Sequence, residues 1–226
     1  MWARKGGTSA PVSTQDYLWA AKPLSPPTGL YPRLVKPLID RLLGLALLIL
    51  FSPLIAVSAL AVLVTMGRPV FYTQERIGLH GRPFRLYKIR TMIPDRRITL
   101  TSYSGTERRV VHKSSSDPRV TLVGKALRAS RFDELPQFLN VVRGEMSMVG
   151  PRPELPEIVA RYEPWQHHRH LVRPGVTGPW QISNHNGDLM FEHTDLDLAY
   201  LGDISFVHDI GILARTPMAM VGRRGH

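Results

Sequence analysis

Two adjacent carboxylates, Asp133 and Glu134, are the side chains of this sequence best suited to chemistry. They stand just before Leu135 and Pro136, and proline suits the first position of a helix. Because the proline disfavours helical geometry at Leu135, the pair is predicted to lie at a helix N-terminus. The helix dipole and unpaired N–H groups favour negative charge there, as a nucleophile or metal ligand requires. An ordinary capping pair is the alternative.

Basic side chains accompany this pair and indicate that its substrate carries phosphate. The candidates for phosphate binding are Lys88, Arg90, Arg128 and Arg152, with Arg131 as a further basic neighbour. Arg152 stands between two prolines, and a rigidly held arginine suits bidentate phosphate contact. Carboxylates beside a basic band also fit Mg²⁺ bound together with phosphates. Taken singly, each cation is more typical of a solvated surface.

The charge of the chain is unevenly distributed around a net value of +11. Residues 1–75 carry seven basic and three acidic residues (+4), residues 76–132 fourteen and three (+11), and residues 133–226 eight and twelve (−4). A basic middle predicts a surface that meets anions. We predict no nucleic-acid partner, because no recognisable nucleic-acid motif or aromatic interleaving is present. The lack of cysteine excludes disulfides, thiolate metal sites and cysteine nucleophiles.

A run of 26 residues without charge extends from Leu42 to Gly67. As a helix it would reach ~39 Å, which exceeds the ~30 Å hydrocarbon core of a membrane. Ser52 and Pro53 near its middle predict a kink. Both flanks are basic, so each prefers the cytoplasmic side. From the residues alone, a hairpin that enters and leaves by one face and a single-pass helix are equally open.

The rest of the chain predicts a small α/β unit. The predicted organisation is a tail at residues 1–35, a membrane segment at 36–68 and a catalytic domain at 69–226. Two short strands are predicted within 69–93, around a turn at Gly78–Gly81. A mobile loop is predicted at 94–118, and helices at 121–131, 136–144, about 154–171 and 206–216. The QHHRH segment at 166–170 is more typical of an exposed helix face than of a metal site.

The run DPRVTLVGKALRASRFDELPQFLNVVRGEMSMVGPRPE resembles the core of the bacterial sugar transferases, the monotopic polyprenyl-phosphate phosphoglycosyltransferases. FYTQERIGLHGRPFRLYKIRTM upstream and RPGVTGPWQIS downstream support this resemblance, which covers about residues 36–216. It implies a small membrane-associated α/β domain that is mostly helical with short strands. It also implies an N-terminal re-entrant membrane helix hairpin broken at Ser52-Pro53, and so favours the hairpin over the single-pass helix.

The resemblance also implies a reaction. Family members transfer a sugar 1-phosphate from a nucleotide sugar, here a UDP-sugar, to polyprenyl (undecaprenyl) phosphate, and so initiate exopolysaccharide, capsule or glycan assembly. Asp133 matches the nucleophile that forms a covalent phosphosugar intermediate, and Glu134 matches the Mg²⁺ ligand beside it. Lys88, Arg128 and Arg152 match positions expected to contact substrate phosphates.

The resemblance further implies a location and partners. It implies a catalytic domain on the cytoplasmic face of the bacterial inner membrane, with the UDP-sugar, polyprenyl phosphate and membrane lipid as partners. A homodimer is compatible with it, because some relatives associate. The usual Lys-Arg before the membrane helix is Lys36-Pro37 here, and the usual Gly-Arg pair is Asn184-His185. A rival from another class is a non-catalytic membrane adaptor that uses the basic band to bind anionic lipid or a partner protein.

Overall fold

The computed structural model describes residues 26–93, 119–185 and 190–221. The helices are α1 (Lys36–Met66), α2 (Leu122–Ser130), α3 (Gln137–Val142), α4 (Pro156–Val159), α5 (Pro179–Ile182), α6 (Thr194–Gly202) and α7 (Phe206–Val221), and the strands are β1 (Phe71–Ile77), β2 (Pro83–Ile89), β3 (Ser147–Val149) and β4 (Gly175–Thr177). This confirms a mostly helical fold with short strands and one long apolar helix. The predicted loop at 94–118 and most of the predicted tail lie outside the described residues.

Ser52 replaces the backbone hydrogen bond that Pro53 cannot make inside α1. Proline has no N–H, so Pro53 cannot donate to the carbonyl of Ile49 four residues earlier. The Ser52 hydroxyl donates to that same carbonyl at 2.8 Å. Serine side chains commonly satisfy the backbone groups that a helical proline frees. The helix continues through both residues to Met66, so its secondary structure is not interrupted at Ser52-Pro53.

One side of α1 packs against the rest of the domain on both sides of this proline. In the first half, Gly44 lies so close to Val141 of α3 that a Cβ there would be 2.9 Å from the valine Cγ1. In the second half, Val62 is completely buried in an apolar cluster formed with β2 and α2. Because the contacts run along its length, α1 is a component of the core.

Buried polar contacts fix the first turns of α1. Lys36 Nζ lies 2.5 Å from Asp209 Oδ2 of α7. One turn later, Asp40 accepts hydrogen bonds from the Ser147 hydroxyl at 2.6 Å and from the Met148 N–H at 3.2 Å. Charged groups are rarely buried without such partners. The start of α1 is therefore tied to both α7 and β3.

The opposite side of α1 is apolar and exposed. Its exposed residues include Leu38, Leu42, Leu45, Ile49, Leu50, Val57, Leu60 and Val64. The helical segment Tyr31–Met66 is, within the described ranges, the one segment long and apolar enough to cross a membrane by length and composition. Monomeric soluble proteins rarely expose so large a continuous apolar patch, which is typical of an interaction surface.

β1 and β2, the two strands predicted within 69–93, form an antiparallel hairpin. Their register runs from Phe71 opposite Ile89 to Ile77 opposite Pro83. The connecting turn places Gly81 at φ 72°, a left-handed conformation that glycine adopts without steric cost. The glycines of this turn therefore predicted its position correctly.

A single 3₁₀ turn, Phe132–Glu134, joins α2 to α3 and carries both carboxylates. α2 ends at Ser130, and the next residue, Arg131, caps it with a left-handed φ of 60°. Leu135 has helical φ and ψ of −54° and −35°, so the prediction that Pro136 displaces it from helical geometry is wrong. The proline disfavours that conformation without forbidding it, and the Leu135 N–H donates to Phe132 O, which carries the turn into α3.

A second sheet pairs β3, a strand that the sequence did not reveal, with β4 in parallel. All three residues of β3 are buried, so the strand lacks the polar–apolar alternation that identifies a half-buried strand. The largest core cluster surrounds it and comprises Leu86, Phe138, Val141, Met146, Met148, Val149, Tyr200, Leu201 and Ile212. The turn after β3 therefore leaves directly from the main hydrophobic core.

Candidate active site

Glu134 lies at the centre of a cluster of positive charge. Its Oε1 atom is 2.6 Å from Lys88 Nζ and 3.5 Å from Arg152 Nη2. Its Oε2 atom is 3.7 Å from Arg131 Nη1. These cations come from β2, from the turn after β3 and from the end of α2, respectively. Three parts of the chain that are distant in sequence thus meet at one carboxylate.

Asp133, next to Glu134, is only 8% exposed. Burial raises the pKa of Asp133 to about 6, and the charge of Glu134 adds to the rise, while Lys88, Arg128 and Arg131 oppose it. The carboxylate is therefore ionised in most molecules at neutral pH and protonated in mild acid. The prediction of an ionised aspartate considered only the helix terminus, and burial acts in the opposite direction.

Glu134 has the opposite pKa shift. Burial alone would raise its pKa, but the charges of Lys88, Arg152 and Arg131 outweigh burial and hold the pKa well below its usual range. Environments that separate the pKa values of two neighbouring carboxylates commonly assign them different chemical roles. Here Asp133 is the more basic carboxylate, and hence the better nucleophile, whereas Glu134 stays ionised.

Arg128 is held next to Asp133 by the segment that follows β2. Its Nε atom donates to the Thr91 hydroxyl at 2.9 Å. One turn earlier in α2, Gly124 packs directly on the same segment, and a Cβ there would lie 2.0 Å from the Thr91 carbonyl oxygen. The close approach of α2 at Gly124 therefore sets the position of Arg128.

Arg90 is buried and engaged elsewhere. Its Nη2 atom donates to the carbonyls of Met66 at 2.8 Å and Gly67 at 2.6 Å, at the C-terminus of α1. A cation is favourable at that end of a helix. Strand alternation would have placed Arg90 on the same side as Lys88, but β2 ends at Ile89 and the alternation ends with it. The structure does not bring Arg90 into the cluster.

Arg131, which the sequence indicated as a basic neighbour of the pair, contacts Glu134 directly from a left-handed conformation that disfavours residues other than glycine and asparagine. Two further arginines matter to the cluster although their sequence context does not single them out. Arg169 Nη2 donates to the Arg152 carbonyl at 2.9 Å, and Arg76 Nη1 donates to the Pro153 carbonyl at 3.0 Å. Both of these lie in stretches whose composition resembles an exposed surface.

The QHHRH segment is buried, and the prediction of an exposed helix face is wrong. It belongs to a 3₁₀ stretch, Pro164–Leu171, whose polar residues are buried and which packs against α6 and the turn between β1 and β2. Burial and the nearby Arg169 hold the pKa of His170 well below its usual range, so this imidazole is neutral. Within the described ranges, no group of three or more His, Asp or Glu side chains is arranged to hold a metal ion.

The carboxylate pair has the donor chemistry expected of a partial Mg²⁺ site. Mg²⁺ prefers oxygen ligands and is usually held by one or two carboxylates, with substrate phosphates and water completing its coordination. Asp133 and Glu134 supply such oxygens, whereas the surrounding cations disfavour an isolated metal ion. The arrangement fits an ion that arrives together with phosphate.

Comparison with known proteins places this cluster in a family. Residues 31–223 match the family model described as bacterial sugar transferase. The chain belongs to the bacterial sugar transferase family. This confirms the resemblance inferred from the DELPQ and PRP motifs.

Several members of the bacterial sugar transferase family align with most of the chain. The uncharacterized sugar transferase EpsL of Bacillus subtilis is 38% identical over 183 residues, which cover 81% of this chain and 85% of EpsL. The exopolysaccharide production protein ExoY of Rhizobium meliloti is 38% identical over 200 residues, covering 85% and 88% of the two chains. The UDP-glucose:undecaprenyl-phosphate glucose-1-phosphate transferase of Escherichia coli is 36% identical over 195 residues, covering 81% of this chain and 39% of that protein.

Proposed function

We propose that this bacterial sugar transferase moves a sugar 1-phosphate from a UDP-sugar to undecaprenyl phosphate in exopolysaccharide, capsule or glycan assembly. The observation that carries the proposal is a buried, basic Asp133 beside a Glu134 that is surrounded by Lys88, Arg131 and Arg152. The names of two relatives support the proposal. One is a UDP-glucose:undecaprenyl-phosphate glucose-1-phosphate transferase, which supports the substrates, and the other is an exopolysaccharide production protein, which supports the pathway.

In this proposal Asp133 is the nucleophile. A carboxylate oxygen forms a bond to the sugar-bearing phosphorus, the bond from that phosphorus to the bridging oxygen breaks, and uridine monophosphate leaves with the electron pair. A phosphate oxygen of undecaprenyl phosphate then bonds to the same phosphorus, and the carboxylate leaves. The covalent intermediate allows a soluble donor and a lipid acceptor to use one site in turn, which gives ping-pong kinetics.

The cations of the cluster provide the complementary charge. Lys88, Arg128 and Arg152 would bind the diphosphate oxygens and stabilise the negative charge that develops on the bridging oxygen. Arg128 is exposed and Arg131 keeps 35% side-chain exposure, so both lie at the solvent edge, where a soluble donor would enter. Arginine suits this task because its planar fork matches two phosphate oxygens.

Glu134 would hold Mg²⁺ in this proposal, beside the nucleophile Asp133. When bound, the ion supplies neutralisation of the diphosphate and so makes uridine monophosphate a better leaving group. The part played by the chain is to present an ionised Glu134 carboxylate at neutral pH, which its lowered pKa provides. The oxygen chemistry of the pair supports this assignment.

Replacing Glu134 tests the metal assignment. Glu134→Gln preserves size and removes the charge, so we expect at least about 100-fold slower release of uridine monophosphate and a weakened response to added Mg²⁺. The matched control is Glu157→Gln, because Glu157 is an exposed residue of α4. A normal Mg²⁺ response in Glu134→Gln would remove Glu134 as a ligand.

We also propose that the exposed face of α1 lies in the cytoplasmic leaflet of the bacterial inner membrane, with both ends of the helix on that side. The packing of both halves of α1 on one domain supports this arrangement. Basic residues at both ends, Arg33 and Arg41 before the apolar run and Arg68 after it, also favour the cytoplasmic side.

Asp133→Asn tests the nucleophile. Asparagine matches the shape of aspartate but cannot form the acyl phosphate, so we expect release of uridine monophosphate to cease while the protein stays with the membrane. The assay uses purified protein, Mg²⁺, undecaprenyl phosphate and a panel of UDP-sugars, with the exposed Asp203→Asn as control. Near-native turnover in Asp133→Asn would refute the nucleophile. A wild-type protein inactive with every UDP-sugar would favour the adaptor.

A further inference from the structure

The turn that carries Arg152 is fixed through three successive backbone carbonyls. The three bonds are Gly175 N–H to Pro151 O (2.8 Å), Arg169 Nη2 to Arg152 O (2.9 Å) and Arg76 Nη1 to Pro153 O (3.0 Å). Pro151 and Pro153 have no N–H to donate. The carbonyls are therefore the main groups by which the backbone of this turn can be tied to its surroundings.

Arg169 makes the middle of these three ties and is itself almost completely buried, with 1% side-chain exposure. Its Nη1 atom donates to the Tyr162 hydroxyl, and its Nη2 atom lies 2.6 Å from Asp197 Oδ2 of α6. A buried ion pair is a costly way to fill a core, since apolar residues of similar volume often do so equally well. The pair also does something that apolar residues cannot, because it supplies a donor to the Arg152 carbonyl.

We propose that Arg169, held by Asp197, is a positioning residue that keeps the Arg152 guanidinium beside Glu134. The tie acts at the backbone of the same residue whose Nη2 atom lies 3.5 Å from Glu134 Oε1. The proposal rests on the proposed function, in which Arg152 binds the donor diphosphate. A buried pair that only supported the core would contribute to stability without altering what Arg152 does.

The test removes both charges of the pair at once, in the double variant Arg169→Met/Asp197→Leu. Removal of one partner would leave a buried charge uncompensated, whereas removal of both is often tolerated. Tyr162→Phe is the matched control, because it deletes another hydrogen bond of Arg169 and leaves the tie to Arg152 in place. Circular dichroism and thermal unfolding establish that each variant is folded.

Two measurements then separate positioning from support. Hydrogen exchange of the peptide that covers residues 147–155 reports the order of the turn without any substrate. The dissociation constant of UDP, measured with Mg²⁺, reports the diphosphate site. We expect faster exchange in the double variant and UDP binding weakened at least about tenfold, since small misplacements of binding groups have effects of this size or larger. We also expect no further weakening when the double variant is added to Arg152→Ala.

Each outcome has a defined meaning. Unchanged hydrogen exchange in the folded double variant would overturn the proposal. So would a variant that combines all three substitutions and loses as much UDP affinity as the double variant and Arg152→Ala lose together. Native UDP affinity in the double variant, with a loss in Arg152→Ala, would also overturn it. Failure of the wild-type protein to bind UDP would refute the proposed donor site and with it the positioning role. Faster exchange with non-additive UDP affinities would support the proposal.

Discussion

Asp133 and Glu134 are neighbours of nearly identical chemistry, and their surroundings give them opposite pKa shifts. Asp133 faces the interior, where burial is the largest influence, whereas Glu134 contacts three cations. A more basic carboxylate suits attack on phosphorus, and a permanently ionised one suits a metal ligand. The division of roles proposed above therefore has a physical basis that the adjacent positions alone do not provide.

The raised pKa of Asp133 predicts a pH limit on activity. The attacking form is ionised, so kcat/KM for the UDP-sugar should fall about tenfold per pH unit below the pKa of about 6 and be constant above it. The diphosphate of the donor is fully ionised over this range. The fall in kcat/KM at low pH, the acidic limb of the profile, would therefore report the ionisation of a group on the free enzyme. Release of uridine monophosphate between pH 5 and pH 8, at about unit intervals or finer, provides the measurement.

A change in the surrounding charge should move this limb in a known direction. Lys88 lowers the pKa of Asp133, so Lys88→Met should raise that pKa and move the limb to higher pH, in addition to slowing the reaction. Arg143→Met is the control, because Arg143 contacts Tyr87 outside the cluster. A limb that stays in place in Lys88→Met would assign the titration to another group.

At the residue scale, the sequence predicted which types of side chain form the cluster better than it predicted which individual residues reach the carboxylates. Lys88, Arg128 and Arg152 converge on the two carboxylates as proposed from the sequence. Arg90 turns to the end of α1 because the strand ends one residue earlier. Arg131 reaches Glu134 through an unusual backbone conformation. Both outcomes depend on exact element boundaries, which sequence patterns define only within a few residues.

At the scale of elements, glycine determines how closely the helices approach the site. Gly124 brings α2 onto the backbone of Thr91, and Gly44 brings α1 onto Val141. Any side chain at either position would separate the elements. The position of Arg128 beside Asp133 thus depends on the absence of a Cβ one helical turn away.

Gly124→Ala tests this dependence. The new Cβ would lie 2.0 Å from the Thr91 carbonyl oxygen, so we expect the free energy of unfolding to fall by about 3 kcal/mol, with reduced activity as Arg128 shifts. Gly211→Ala in α7 is the matched control, since a Cβ there meets nothing within 4 Å and alanine should stabilise the helix by about 0.5–1 kcal/mol. Denaturant unfolding in detergent measures both. Equal stability of the two variants would contradict the predicted contact.

The elements that the sequence predicted well are those with a strong pattern or clear end signals. The hairpin of β1 and β2 has alternation and turn glycines, and α3 lies between Pro136 and Gly144. By contrast, β3 is short and fully buried, and the 3₁₀ stretch Pro164–Leu171 is polar yet enclosed. Their structure is imposed by tertiary packing, which leaves no periodic pattern in the sequence.

At the scale of the whole molecule, α1 combines an exposed apolar face with a face that completes the core. Its inner face contacts α3 near the start and β2 and α2 near the end. Composition and length predicted a membrane segment, but they contain no information about which residues pack on the domain. The Ser52 hydroxyl bond that carries the helix past Pro53 was likewise visible only in three dimensions.

Accessibility of single cysteines tests the arrangement in the membrane. The chain has no cysteine, so each of two variants introduces a single site for labelling. Arg33→Cys places it before the N-terminus of α1, and Glu75→Cys places it after the C-terminus. With a membrane-impermeant maleimide we expect neither site to react in intact cells and both to react after permeabilisation. Asp203→Cys, an exposed position in the catalytic domain, should behave identically. Reaction of one site in intact cells would show that α1 crosses the membrane.

The packing of α1 also has a consequence for biosynthesis. α1 leaves the ribosome before β2, α2 and α3, the elements that its inner face contacts. Since Val62 and Gly44 pack on those elements, the catalytic domain can complete its folding only when α1 has taken its place against them. In the membrane arrangement proposed above, a newly made chain would therefore acquire its active site at the membrane surface.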